Sequence, residues 1–144
     1  MFLLTKLPAA FFAGLSLKEL TAERAAIAVR YSWFNKNPFR STYFAILSMA
    51  AEASTGILCM AAMYKRSPSV SMLIVKIEGN FYKKAVGKIM FRCQDGAMIQ
   101  QAVEDAISSG ESKSVTCTSI GVNAAGEEVA TFFCTWSFRA RSRA

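Results

Sequence analysis

Residues 37–64 read "NPFRSTYFAILSMAAEASTGILCMAAMY", and this stretch decides the fold. Between Arg40 and Lys65 the only charged residue is Glu52. The run is rich in alanine and methionine, which favour helix. Ser41 or Thr42 stands where an N-cap is needed. A helix over about residues 41–63 is therefore predicted. It is apolar around most of its circumference, so other elements must wrap it on nearly all sides. The run is long enough to span a membrane. It also carries Ser41, Thr42, Ser48, Glu52, Ser54 and Thr55, and no second such run follows. The reading is a buried helix of a soluble domain, with no membrane span. A carboxylate there is costly unless it has a partner or a task.

Outward from the helix, the pattern changes to strands. Residues 24–33, "RAAIAVRYSW", alternate, with Ala25, Ile27, Val29, Tyr31 and Trp33 on one face. That predicts a half-buried strand, followed by turn chemistry at "FNKNPF". After Pro68, "SVSMLIVKIEGNFYK" predicts a strand leaving at Gly79-Asn80, and "AVGKIMFRCQ" the next strand, antiparallel to it. Met98, Ile99, Ala102, Val103, Ala106 and Ile107 recur at helical spacing over about residues 96–109. Asp95 is placed to cap that second helix and Gly110 to end it. "KSVTCTSIGVN" and "EEVATFFCTWSFRAR" close the chain as a hairpin around "NAAGE". A short helix is predicted over Pro8–Ala13. The hydrophobic start, "MFLLTKLPAAFFAGLSL", lacks the charged n-region and cleavage site of a signal peptide. It is expected to pack on the core. The element order predicts a single α+β domain over residues 1–144, its antiparallel sheet curved around one long helix.

Composition narrows the chemistry. Seventeen basic against ten acidic residues give a net charge of +7, but no nucleic-acid-binding motif accompanies it. A solvated basic surface without a nucleic-acid partner is expected. The chain has no histidine, which removes Ser-His-Asp and Cys-His nucleophile activation and every histidine-containing metal site. Cys59, Cys93, Cys117 and Cys134 contain no close pair, so no local zinc knuckle is expected. They read as small buried side chains of a cytoplasmic, reducing-compartment protein without metal or cofactor.

The order of elements resembles the hotdog fold, in which a curved antiparallel sheet encloses a central helix. Within it the chain resembles the acyl-CoA thioesterase-like group, in particular its DUF4442-type bacterial branch. Hotdog thioesterases of the phenylacetate-pathway type carry Asn, five residues, His-Gly-Gly, six residues, then an acid. On this sequence Asn37 matches the asparagine and Glu52 the acid, without a gap. Tyr43-Phe44-Ala45 stands in place of His-Gly-Gly.

Thioester hydrolysis needs a base for water, or a carboxylate that attacks directly, and donors preorganised for the oxyanion. The resemblance implies Glu52 as base or nucleophile and Asn37 orienting the water or the carboxylate. It implies amides at Phe44 and Ala45 as oxyanion donors, with Tyr43 beside them. A free helix N-terminus supplies such amides and a positive dipole end. Glu52 lies ten residues beyond Thr42, roughly 15 Å along a helix, so one helix cannot bring its own start to its own Glu52. The family joins them across a homodimer, and a homodimer is expected here, with a dimer of dimers left open. The substrate implied is a small-molecule acyl thioester such as acyl-CoA, met by basic candidates Arg40, Lys83, Lys84 and Arg139. Met49, Met60, Met63 and Met72 either line an acyl tunnel or fill the core. The alternatives at single residues are a solvated stripe for Glu52, turn formation for Asn37 and packing for Tyr43. For the whole chain, the alternative is a hotdog protein that binds an acyl group without turnover.

Overall fold

Gly121 and Gly79 show how the sheet admits its largest side chains. Each lies directly across a strand pair from a phenylalanine, Gly121 from Phe91 and Gly79 from Phe132. A Cβ would come within 2.5 Å of the Phe91 ring at Gly121 and 2.6 Å of the Phe132 ring at Gly79. The two rings meet edge to face with centroids 5.8 Å apart, and Phe132 meets Phe81 at 5.4 Å. Phe81 meets Phe44 at 6.2 Å. A chain of aromatic contacts thus runs from the core to the start of the long helix.

The computed structural model describes residues 2–142. In chain order its elements are α1 (Phe2–Lys6), α2 (Pro8–Phe12), β1 (Leu15–Leu20), β2 (Ala25–Val29), α3 (Phe44–Met63), β3 (Val70–Phe81), β4 (Ile89–Cys93), α4 (Gly96–Ser109), β5 (Lys113–Val122) and β6 (Glu128–Ala140). The strands form one antiparallel sheet in the order β1-β2-β4-β5-β6-β3. Helix α3 lies against its concave face, as the hotdog arrangement requires. Ten of its residues are buried, so the packed core accounts for its apolarity. Ser54 Oγ, 2.7 Å from Ser119 Oγ, ties α3 to β5. Trp136 Nε1 donates to Thr55 Oγ1 at 2.8 Å and ties α3 to β6.

Several expectations need correction. β4 does not pair with β3; it lies between β2 and β5, while β3 pairs with β6 at the far edge. The connecting loop crosses the end of the sheet instead of turning back. Its Tyr82 N–H donates to Val129 O, and its Ala85 O accepts from Thr42 N–H. The strand expected over residues 24–33 ends at Val29, and both of its faces are buried, not one. Buried Asn35 stops it, because its side-chain amide donates to Arg30 O and Ala13 O while its Oδ1 accepts from Ser32 N–H. Trp33 is thereby left 80% exposed. Neither Ser41 nor Thr42 caps α3: the helix starts at Phe44, Tyr43 is the N-cap, and no side chain caps it. Ser41 Oγ is engaged by Asn37, and Thr42 Oγ1 is buried without a partner. β1 begins at Leu15, at the end of the hydrophobic start, and is a second strand ahead of the long helix. That start forms two short helices rather than one, and of their apolar residues Leu3 and Ala10 are buried.

The second helix and the final hairpin follow the sequence reading. α4 spans Gly96–Ser109 and ends at Gly110 in the left-handed region. Asp95 holds the N-cap position, but its carboxylate accepts from Thr118 N–H at 2.7 Å, across on β5. At the hairpin, Asn123 Oδ1 accepts from Ala125 and Glu127 N–H. All four cysteines are free and buried.

Candidate active site

Glu52 sits in the middle of α3, half-buried, with no ion-pair partner among the described residues. Burial raises its proton affinity above that of an ordinary carboxylate. Its surroundings are built by the next turn. Thr55 Oγ1 donates to the Glu52 carbonyl at 2.9 Å while accepting from Trp136 Nε1. Gly56 leaves room beside it: a Cβ there would lie 3.3 Å from Glu52 Oε1 and 3.2 Å from Trp136 Cζ2. The carboxylate is thus held near the Trp136 edge on β6, within electrostatic reach of Cys134. Sequence alone leaves open whether Thr55 bonds Glu52 or a backbone carbonyl. It carries no sign of the parts of Gly56 and Trp136 beyond a Thr-Gly pair three and four residues after the acid, one helical turn away.

Ala45, Ser48 and Met49 share with Glu52 the half-exposed side of α3. Ser48 Oγ donates to Phe44 O at 3.0 Å and so does not engage Glu52. Met49, Met60, Met63 and Met72 pack, partly buried, against the core. Met60 also lines an apolar cavity of about 420 Å³ with Ile57, Tyr64 and residues of α1 and β1.

Asn37 lies in the turn that leads into α3. Its Oδ1 accepts from Phe39 N–H at 2.9 Å and Ser41 N–H at 3.2 Å, and its amide donates to Ser41 Oγ at 2.9 Å. These bonds close the turn, and Asn37 makes no hydrogen bond to Glu52. Tyr43 and Phe44 are exposed, with their rings 5.0 Å apart. Tyr43 N–H donates to Asn35 O, whereas the N–H groups of Phe44 and Ala45 have no acceptor among the described residues. They are free donors of the helix start. Within one chain this start and Glu52 stand eight residues apart, about 12 Å at the helical rise. Of the basic candidates, Lys83 is ion-paired with Glu127, and Arg40 and Lys84 are solvent-exposed. Arg139 lines a cavity of about 600 Å³ with Arg141, Ser71 and Gly110 at the far end of β6. Among the described residues no group of three His, Cys, Asp or Glu side chains could hold a metal ion.

No family model matches the chain, and neither does any curated protein. Solved structures do. A protein of unknown function from Pseudomonas aeruginosa, named a probable thioesterase, superposes with a TM-score of 0.83 at 22% identity, covering 96% of this chain and 93% of its own. A Chlorobaculum tepidum protein of unknown function has a TM-score of 0.81 at 11% identity, covering 97% and 91%. A Haemophilus influenzae thioesterase has 0.67 at 10% identity, covering 95% and 86%. At these identities the likeness shows the fold: this chain has the hotdog fold.

Proposed function

We propose that the chain hydrolyses acyl-CoA-type thioesters as a homodimer, with Glu52 as general base or nucleophile. The observation that carries this reading is Glu52 itself, a half-buried carboxylate at the centre of the hotdog helix with no ion-pair partner among the described residues. An acid whose proton affinity is raised by its surroundings suits proton transfer near neutral pH. The unbonded amides of Phe44 and Ala45, at the positive end of α3, suit an oxyanion. About 12 Å of helix separates the two within one chain, so the reading requires a second copy. The open edge of the sheet supports that requirement. β3 is a twelve-residue edge strand, and its Leu73, Val75 and Ile77 are exposed. Such an edge is a template for strand addition. In this reading Asn37 fixes the turn that presents the amides. Membership of the DUF4442-type branch belongs to the same proposal.

The test is a panel of acyl-CoA thioesters followed by release of free thiol. Saturable turnover is expected on at least one chain length, cut about 10²–10⁴-fold in Glu52→Gln, the range for loss of a positioned acid or base. Wild-type rates in that variant would reject the mechanism, and no turnover on any chain length would reject hydrolysis. One observation favours a second reading, binding without turnover. The exposed aromatic pair Tyr43-Phe44 flanks the amides where the resembling enzymes have histidine and glycine. Saturable acyl-CoA binding with no hydrolysis would support it.

A further inference from the structure

The side chains left exposed at one end of the molecule are not those of an ordinary solvated surface. Trp33 is 80% exposed, Phe39 69%, Phe12 62%, and Phe34 and Val86 60% each. They come from α2, the loop before α3 and the loop before β4, which hydrogen bonds tie to one another. Asn35 Nδ2 binds Ala13 O at 2.9 Å and Arg30 O at 2.8 Å, and Thr42 N–H binds Ala85 O at 2.9 Å. A cavity of about 680 Å³ against Phe11 and Phe12 is lined by the cations Lys18, Arg30 and Lys88. Lys36, Arg40 and Lys84 are exposed on the same loops. None of these six cations is ion-paired among the described residues. Residues 2–18, 25–51 and 79–94 contain no Asp or Glu. Glu19, next to Lys18, is ion-paired with Arg24, and Glu127 of the β5–β6 hairpin with Lys83.

We propose that this end docks on the surface of an anionic phospholipid bilayer, with Trp33, Phe34, Phe39 and Phe12 entering the headgroup region and the cations facing the lipid phosphates. Aromatic side chains are favoured at that depth, and apolar insertion combined with lysine and arginine is how peripheral proteins hold anionic membranes. A second copy fits less well, because a two-fold contact sets a patch against itself and would oppose these cations to one another. A nucleic acid strand would satisfy the charge. It has no use for the aliphatic Val86, exposed on the loop before β4. Docking needs no turnover, so it stands or fails independently of thioester hydrolysis.

The test is co-sedimentation of the full chain with vesicles of phosphatidylglycerol and phosphatidylcholine, against phosphatidylcholine alone. Binding to the anionic vesicles only is expected, weakening with salt. It should fall by about tenfold or more when Phe12, Trp33 and Phe34 are all changed to serine, since each buries apolar surface in the interface. Trp33 gives a local signal, because the other tryptophan, Trp136, is buried at 4% exposure. Its emission should move to the blue on the anionic vesicles and be quenched by brominated lipid, and Trp33→Phe should abolish both changes. The proposal is overturned by absence of binding at low salt or by a triple-serine variant that binds as well as wild type. It is overturned equally by a blue shift that follows protein concentration without vesicles, which assigns the patch to a second copy. Tight, aromatic-dependent binding to a single-stranded oligonucleotide with none to vesicles would also overturn it.

Discussion

Glu52 is destabilising to the fold at the pH where it is proposed to act. Burial raises its pKa, so the folded chain holds the proton more tightly than the unfolded chain does. Its contribution is therefore most favourable below the ordinary carboxylate range and is lost as pH climbs through the raised value. Glu52→Gln should raise the melting temperature at pH 7 while leaving it unchanged near about pH 4, as thermal unfolding at the two pH values would reveal. Hydrolysis should run the opposite way, rising with pH as the base ionises. Both outcomes together, a fold strengthened and an activity lost on removing Glu52, would be the signature of function over stability. Its neighbour Thr55 has the reverse character. Thr55→Val would leave Trp136 Nε1 buried without an acceptor, and a loss of about 1–3 kcal/mol in urea unfolding is expected.

At the scale of elements, the long helix, α4 and the final hairpin are legible because their signals are local. Six apolar positions at helical spacing and a terminal glycine were enough for α4, and Asn123 and Gly126 for the last turn. The order of the strands was not legible. Consecutive strands usually neighbour one another, which favoured a β3–β4 hairpin; the actual β3–β6 pairing joins strands far apart in the chain and leaves no sequence trace. Asn35 was invisible for a similar reason, since its partners Ala13 and Arg30 come together only once β1 and β2 pair. For Glu52 the register with Asn37 singled out the residue, but the environment that raises its pKa comes from β6. Two elements offer direct tests. A Cβ at Gly96 would lie 2.1 Å from Ala22 O, backbone that cannot swing aside, so Gly96→Ala should cost about 1–3 kcal/mol. On the open edge, the paired change Leu73→Lys and Ile77→Lys places charge where a partner strand would add. It should yield a folded monomer by sedimentation velocity, with hydrolysis lost if the site is shared.

Taken whole, the molecule separates its surfaces by chemistry: an apolar edge at β3, a cationic aromatic end at the loops before α3 and β4, and a core that holds every cysteine. The last of these has a practical consequence. Burial pushes the Cys134 thiol up to about 11, and the neighbouring cysteines together with burial raise the Cys93 and Cys117 thiols further. Thiolates are the reactive form, so the native chain should be silent to a thiol dye. Any thiol released in the acyl-CoA panel can therefore be read by that dye without background from the protein. Once substrate is omitted, the same reagent becomes a clock for opening of the core: labelling should be slow in buffer and reach four thiols per chain in denaturant. Fast labelling of even one thiol in the native protein would mean that the sheet parts from α3 far more often than its packing implies.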